Sequence, residues 1–258
     1  MAPAEPLRLP PGSLPRYRRA LPYGWVVGDF AVHELLRWAP EAAIEVRWHG
    51  DLPDARRARL SAACARAGVP ARRDDATVIE KRSKGSAQVL AAFAKRWARP
   101  TPEHDHLVLI QPRDPGNLGA LQRTALAFGV EDLVILGEAD PWSPHVTRAA
   151  AGATFALRIA TYDDLVGYRA AWPEHDLVLL DGAGATPLER FARGAAPVAL
   201  VAGPEWPGLR DAERALGRTV RIEHDPRVES LNVTVAVGIA LQRLAATRPA
   251  DRPTGAQP

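Results

Sequence analysis

Four short runs in the second half of the chain contain only apolar residues: 107–110 (LVLI), 133–136 (LVIL), 177–180 (LVLL) and 198–201 (VALV). A strand with one face in water alternates apolar and polar side chains, whereas an unbroken apolar run demands cover on both faces. Each run is followed by a turn and a segment with helical spacing, so helices supply that cover. The pattern predicts an α/β domain built on a mainly parallel sheet. Ligands of such sheets bind outside the carboxyl ends of the strands. That rule directs attention to the loops beginning at Gln111, Asp181, Ala202 and Ile222.

The first half is organised differently. Residues 25–27 and 44–46 read as strands, 30–38 and 53–67 as helices, and Gly68 as the stop of the second helix. After Lys84-Gly85, residues 88–93 are apolar enough for a buried strand. Two prolines in Arg99-Pro100-Thr101-Pro102 mark a boundary. The expected layout is a basic, unstructured end (1–22), a small α/β domain (23–98), a linker (99–105), a second α/β domain (106–247) and an unstructured end (248–258). Arg16, Arg18 and Arg19 flank Tyr17 in the first end, as either a basic arm for RNA or a solvated tail.

Composition bounds the function. No apolar run is long enough to span a bilayer, and residues 1–19 lack the core of a secretory signal, so a cytoplasmic protein is expected. Cys64 is the single cysteine, which excludes an internal disulfide and a cysteine-based zinc site; it reads as a small buried residue on a helix. The net charge is +3, and arginine carries it almost alone, since Lys81, Lys84 and Lys95 are the only lysines. A GC-rich coding sequence explains that bias as readily as nucleic acid does, so only local clusters count.

Three loops carry candidate chemistry. The first, Asp114-Pro115-Gly116-Asn117-Leu118-Gly119, opens a helix bearing Arg123, with Asn117 able to cap it. Arg123, one and a half turns in, is expected to point back over the strand ends. The second, Gly203-Pro204-Glu205-Trp206-Pro207-Gly208, follows a buried strand, and its glycines admit a ligand close to the backbone. The third runs from Ile222 to Ser230-Leu231-Asn232-Val233, where an apolar helix begins. Each has a plainer reading, as caps, surface charges or ordinary connections. A fourth loop, Asp181-Gly182-Ala183-Gly184, is similar to the glycine-rich loop of Rossmann-type methyltransferases, but too little chain follows it. It reads as a turn.

Taken in order, N-x-x-G-x-x-x-R, G-x-E-x-x-G-L and V-E-S-L-N-V-x-x-A resemble the three motifs of the SpoU/TrmH family of SPOUT methyltransferases, over residues 106–244. The 23–98 segment resembles that family's ribosomal-protein-like substrate-binding domain, with Gly28, Val32 and Glu34 matching its opening. The resemblance implies a trefoil-knot domain, a homodimer, and methyl transfer from S-adenosylmethionine to a ribose 2′-hydroxyl of rRNA or tRNA, with no metal. It implies that Gly203, Ile222 and Leu231 hold the cofactor, and that Asn117, Arg123, Glu205, Ser230 and Asn232 form the catalytic set. A guanidinium does not readily release its proton, so Arg123 reads as a phosphate clamp and alkoxide stabiliser rather than a base. Two departures stand out. Ile222-Glu223-His224 replaces the family's Ile-Pro-Met, and Pro204 replaces an asparagine. Glu223 either weakens cofactor binding or points outward. The alternative from another class is a non-catalytic RNA-binding protein that keeps the fold.

Overall fold

The structure is a computed structural model that describes residues 16–50, 52–74 and 87–247. Lys84-Gly85, residues 1–15 and the 248–258 end lie outside them. The chain divides into two compact units. The first holds the described residues through Arg96 together with Asp140–Ala156; the second holds Trp97–Ala139 and the described residues from Leu157 onward.

In the first unit, strands β1 (Tyr23–Val27), β2 (Ala43–Trp48), β3 (Ala71–Arg73) and β4 (Val89–Ala94) form a sheet in the order β1-β4-β2-β3. Helices α1 (Asp29–Trp38) and α2 (Asp54–Ala67) accompany it, and Gly68 ends α2 in the left-handed conformation at φ 66°. Cys64 is buried on α2, as its residue type implied, and burial raises its thiol pKa.

Two segments pack elsewhere than in the layout read from the sequence. Residues 16–22, assigned to an unstructured end, pack onto this unit. The Tyr17 ring meets Trp25 edge-on at 5.6 Å, and its hydroxyl donates to Asp140 Oδ2 at 2.5 Å. Lys95 Nζ lies 4.6 Å from the Tyr17 ring centre and donates to the Arg19 carbonyl at 2.8 Å. One aromatic ring among the arginines supplies the burial that orders the segment. Asp140–Ala156, assigned to the second domain, also belongs here: Trp142 and Phe155 pack on Phe93 at ring distances of 6.0 and 5.0 Å.

The second unit holds a seven-stranded, wholly parallel sheet. Its strands are β5 (His106–Ile110), β6 (Asp132–Leu136), β7 (Arg158–Tyr162), β8 (Asp176–Leu180), β9 (Thr186–Pro187), β10 (Val198–Ala202) and β11 (Arg218–Arg221). The order is β7-β6-β5-β10-β8-β11-β9. All four predicted runs are strands, and every residue of β5, β6 and β10 is buried. From these strands Val108, Ile110, Val134, Leu136, Ala199 and Val201 join Leu165, Tyr168, Trp172 and Leu209 in one core. From β5 the chain builds outward through β6 to β7, then crosses and lays β8 and later β10 on the other side. The direction of strand order therefore reverses at β5 and β10, the place where open parallel sheets leave a crevice. Helices α3 (Pro115–Ala127) and α7 (Val233–Ala246) pack together in this unit, and shorter α5 (Leu165–Ala171) and α6 (Asp211–Arg214) follow β7 and β10. Helix α4 (Pro144–Ala149) belongs to the first unit.

The expected linker is part of this second unit. Ala98 N donates to Ile159 O, and Thr101 N to Asp132 Oδ1. The Thr101 carbonyl lies 2.9 Å from His106 Nε2. A carbonyl only accepts, so Nε2 carries the proton and Nδ1 accepts from the Tyr168 hydroxyl at 2.7 Å. Burial, then the neighbouring His175, push the His106 pKa down to about 4. Among the described residues no helix is long and apolar enough to cross a membrane.

Candidate active site at the strand reversal

Three strand ends converge where the sheet reverses, and their loops enclose a cavity of about 370 Å³. Leu180, Ala202, Leu209, Val220, Ile222 and Leu231 make its apolar walls; Asp181, Glu205, Glu229, Ser230 and Asn232 bring polar groups to it. Beside it lies a cleft of about 130 Å³ lined by Gln111, Arg113, Asn117, Glu205 and Trp206. Ala202, Gly203, Pro204, Glu205 and Val233 belong to both.

Local chemistry explains how each loop is held. Pro115 stands at the first position of α3, where its missing N–H costs nothing, and the residue before it is the cap. Asp114 Oδ1 accepts from Asn117 N at 2.7 Å. Asp114 thus takes the capping role that Asn117 could have filled, and the Asn117 amide is available for other work. Nδ2 donates to Glu205 Oε1 at 2.5 Å, while Oδ1 accepts from Asn232 Nδ2 at 3.2 Å. Asn232 caps α7, its Oδ1 accepting from Thr234 N at 2.9 Å, so its Nδ2 is left to face Asn117. Residues 88 and 115 positions apart are thus joined in one hydrogen-bonded chain, Asn232–Asn117–Glu205.

Gly203 leaves β10 tightly against its own loop: a Cβ there would sit 2.8 Å from Leu209 Cδ2. Gly203, Ile222 and Leu231, the residues expected to hold a cofactor, all line the larger cavity. Ser230 lines it too, two residues before the cap rather than within the helix start. Glu223 is exposed, pairs with Arg221 at 3.1 Å and lies outside the cavity lining, whereas His224 is part of it. Pro204 lines both spaces.

Arg123 stands apart. It is exposed and lines neither space; Leu121, two residues earlier, faces the cleft and so points to the opposite side of α3. Among the described residues it has no hydrogen-bond or ion-pair partner. Asp181 and Gly182, read from the sequence as a turn, do form one, with Ala183 N donating to Asp181 Oδ1 at 2.9 Å, but they also line the larger cavity. Gln111, Arg113 and Trp206 are not among the catalytic or cofactor residues read from the sequence. The strand-end rule had flagged the loops of Gln111 and Asp181, and an aromatic residue beside Glu205 was the further signal.

Residues 105–242 match the family model described as the SpoU rRNA Methylase family. The chain belongs to that family. Asn117, Glu205 and Asn232 all lie within the matched residues. An uncharacterized tRNA/rRNA methyltransferase from Synechocystis is 37% identical over 56% of this chain and 54% of its own length. A 23S rRNA (guanosine-2′-O-)-methyltransferase from Acinetobacter baylyi is 32% identical over 52% of this chain and 56% of its own. A 23S rRNA (adenosine(1067)-2′-O)-methyltransferase from Streptomyces azureus is 28% identical over 69% and 70%. The chain thus spans about half the length of several curated relatives that it matches. The crystal structure of an AdoMet-bound rRNA methyltransferase from Sinorhizobium meliloti superposes with a TM-score of 0.72 at 26% identity, covering 86% of each chain.

Proposed function

We propose that this SpoU chain transfers a methyl group from S-adenosylmethionine to a ribose 2′-hydroxyl of ribosomal or transfer RNA. The observation that carries the reading is the Asn232–Asn117–Glu205 chain, set on the rim between a cofactor-sized cavity and an open cleft. The relatives from Acinetobacter and Streptomyces, whose names specify 2′-O-methylation, support the same chemistry.

The larger cavity suits the cofactor. Small-molecule sites run to about 300–1,000 Å³ with mostly apolar walls and a few polar groups, and this one has both features. Apolar side chains accept a flat purine, and the strand-end backbone at Gly203, Ile222 and Leu231 offers amides and carbonyls to its edges. Gly182 and Gly208 leave open space where a Cβ would stand, room that ligand atoms can take. Among the described residues no cluster of histidine, cysteine or acidic side chains could hold a metal ion.

When bound, S-adenosylmethionine supplies an electrophilic methyl carbon. The chain's own groups orient the nucleophile. Asn117 and Glu205 hold the ribose at the rim, and Ser230 and Asn232 shape the passage between the two spaces. Arg123 pairs with an RNA phosphate and stabilises charge growing on the ribose oxygen. Because it faces away from the cleft of its own chain, it serves the cleft of a second copy. The homodimer we propose uses Val235 and Ile239 of α7, which are 51% and 41% exposed, and α3 packs against that helix. The insertion of β10 between β5 and β8 after both are laid down supports a knotted path for the last segments. RNA as substrate and a lone buried thiol support work in the cytoplasm.

Calorimetry with S-adenosylmethionine tests the reading. Saturable binding at one molecule per chain is expected. No heat at millimolar ligand would sink the enzyme and promote an RNA-binding protein that keeps the fold.

A further inference from the structure

Apolar side chains on a protein surface are ordinary when scattered, so exposure alone carries no meaning. Trp206 is a different case because of its position. It is 76% exposed, more than any other exposed large hydrophobic residue described, and it forms a wall of the cleft beside the Asn117–Glu205 pair. Its loop is anchored on both sides. Glu205 is held by Asn117, and Leu209 is buried against Gly203. The indole is therefore presented in place rather than left on a loose segment.

Another part of the cleft lining is also unusual. Gln111 has φ 46°, a left-handed conformation that costs a side-chain-bearing residue free energy and gathers at functional sites. Two residues on, Arg113 is exposed in the same cleft and has no hydrogen-bond or ion-pair partner among the described residues. The cleft thus combines a flat aromatic face, a side-chain amide, an unengaged guanidinium and a hydrogen-bonded carboxylate. These are the groups that a single unstacked nucleotide needs: a surface for its base, a cation for its phosphate and polar partners for its ribose. A protein partner's apolar side chain would leave Arg113 and Gln111 unused.

We infer that Trp206 is the stacking platform for the base of the RNA nucleotide that enters the cleft, and so a residue that determines substrate recognition. The inference rests on the RNA methyltransferase reading and adds to it that the RNA is engaged at an unpaired or flipped-out nucleotide. Every base has a π face, so the platform selects for an unstacked base more than for its identity.

The test compares Trp206→Ala, Trp206→Leu and Trp206→Phe. Methylation is measured on total RNA from a strain lacking the gene, and cofactor affinity by calorimetry. Removing a stacking partner typically costs a factor of about five to a hundred, and that factor is expected as a rise in KM for RNA in Trp206→Ala. Trp206→Phe should recover most of it and Trp206→Leu little, with S-adenosylmethionine affinity unchanged in all three. Titrating a short single-stranded oligoribonucleotide should quench tryptophan fluorescence in the parent protein by a component missing from Trp206→Phe. A parental KM in Trp206→Ala, or equal rescue by leucine and phenylalanine, overturns the assignment. A parent protein that methylates no RNA yet shows the Trp206 quench would defeat the methyltransferase reading and leave the platform standing.

Discussion

The Asn117 amide donates to Glu205 at 2.5 Å and accepts from Asn232 at 3.2 Å, so one side chain aligns groups from three loops. Asn117→Ala removes the partner of Glu205 Oε1 and of Asn232 Nδ2, while the cap bond from Thr234 N still holds Asn232. Loss of such a network lowers turnover about ten- to hundredfold, and single-turnover methylation should show it with cofactor affinity unchanged, because Asn117 lies outside the larger cavity's lining. Arg123 makes a separate prediction. Removing a preorganised donor costs about a hundred- to a thousandfold in rate, so Arg123→Ala should lose most methyl transfer. Arg123→Lys should recover it only partly, since a point charge cannot reproduce a bidentate fork. Near-normal rates in both variants would make Arg123 a plain surface charge. At this scale the sequence was informative about residue types and weaker on their jobs. The sequence offered Asn117 as a cap, whereas Asp114 fills that place, and cap and network roles at Asn117 are indistinguishable until Glu205 and Asn232 are seen beside it. The side of α3 on which Arg123 stands is not legible in the sequence, because backbone tilt alone does not say which side of the helix meets the cleft.

Among the elements, the loop leaving β10 is the most tightly constrained. A methyl at Gly203 would meet Leu209 Cδ2 at 2.8 Å and Cγ at 3.0 Å, and Leu209 is itself a cavity wall. Overpacking of this kind costs about 1–3 kcal/mol. Gly203→Ala should therefore lower the melting temperature and weaken S-adenosylmethionine binding together, as thermal unfolding with and without ligand would report. Unchanged affinity would mean that the loop shifts freely. Buried strands were legible because double-sided cover leaves unbroken apolar runs in 107–110, 133–136, 177–180 and 198–201. The edge and short strands were not. Arg158–Tyr162 and Arg218–Arg221 carry arginine at their ends, and Thr186–Pro187 is two residues long. Strand order was also beyond reach, because which parallel neighbour β10 takes depends on no residue within it. The capture of Asp140–Ala156 by the first unit rests on Trp142 and Phe155 meeting Phe93, a long-range match without a local signature.

For the whole molecule, two properties follow from where charge and apolar surface lie. His106 is held neutral by burial, with Thr101 and Tyr168 satisfying both ring nitrogens, and its pKa is pushed down to about 4. The unfolded chain takes up a proton near pH 6.5 that the folded chain refuses until about pH 4. Stability contributed by the neutral ring is therefore complete above pH 6.5 and declines as the pH falls through that window, by about 3 kcal/mol in all. Denaturant titrations from pH 7 to 4 should show this slope in the parent and a shallower one in His106→Gln. The apolar pair Val235 and Ile239 on α7 predicts assembly. Light scattering should give a dimer for the parent and a monomer for Val235→Glu with Ile239→Glu, with helix content retained. A monomeric parent would contradict the proposed interface.

The most direct test of the central reading is to incubate the protein with methyl-labelled S-adenosylmethionine and total RNA from a strain lacking the gene, digest the RNA to nucleosides, and locate the label by mass spectrometry. The site at the strand reversal predicts a 2′-O-methylated nucleoside, lost in Asn117→Ala. Label on a base, or cofactor binding with no label in RNA, would contradict it.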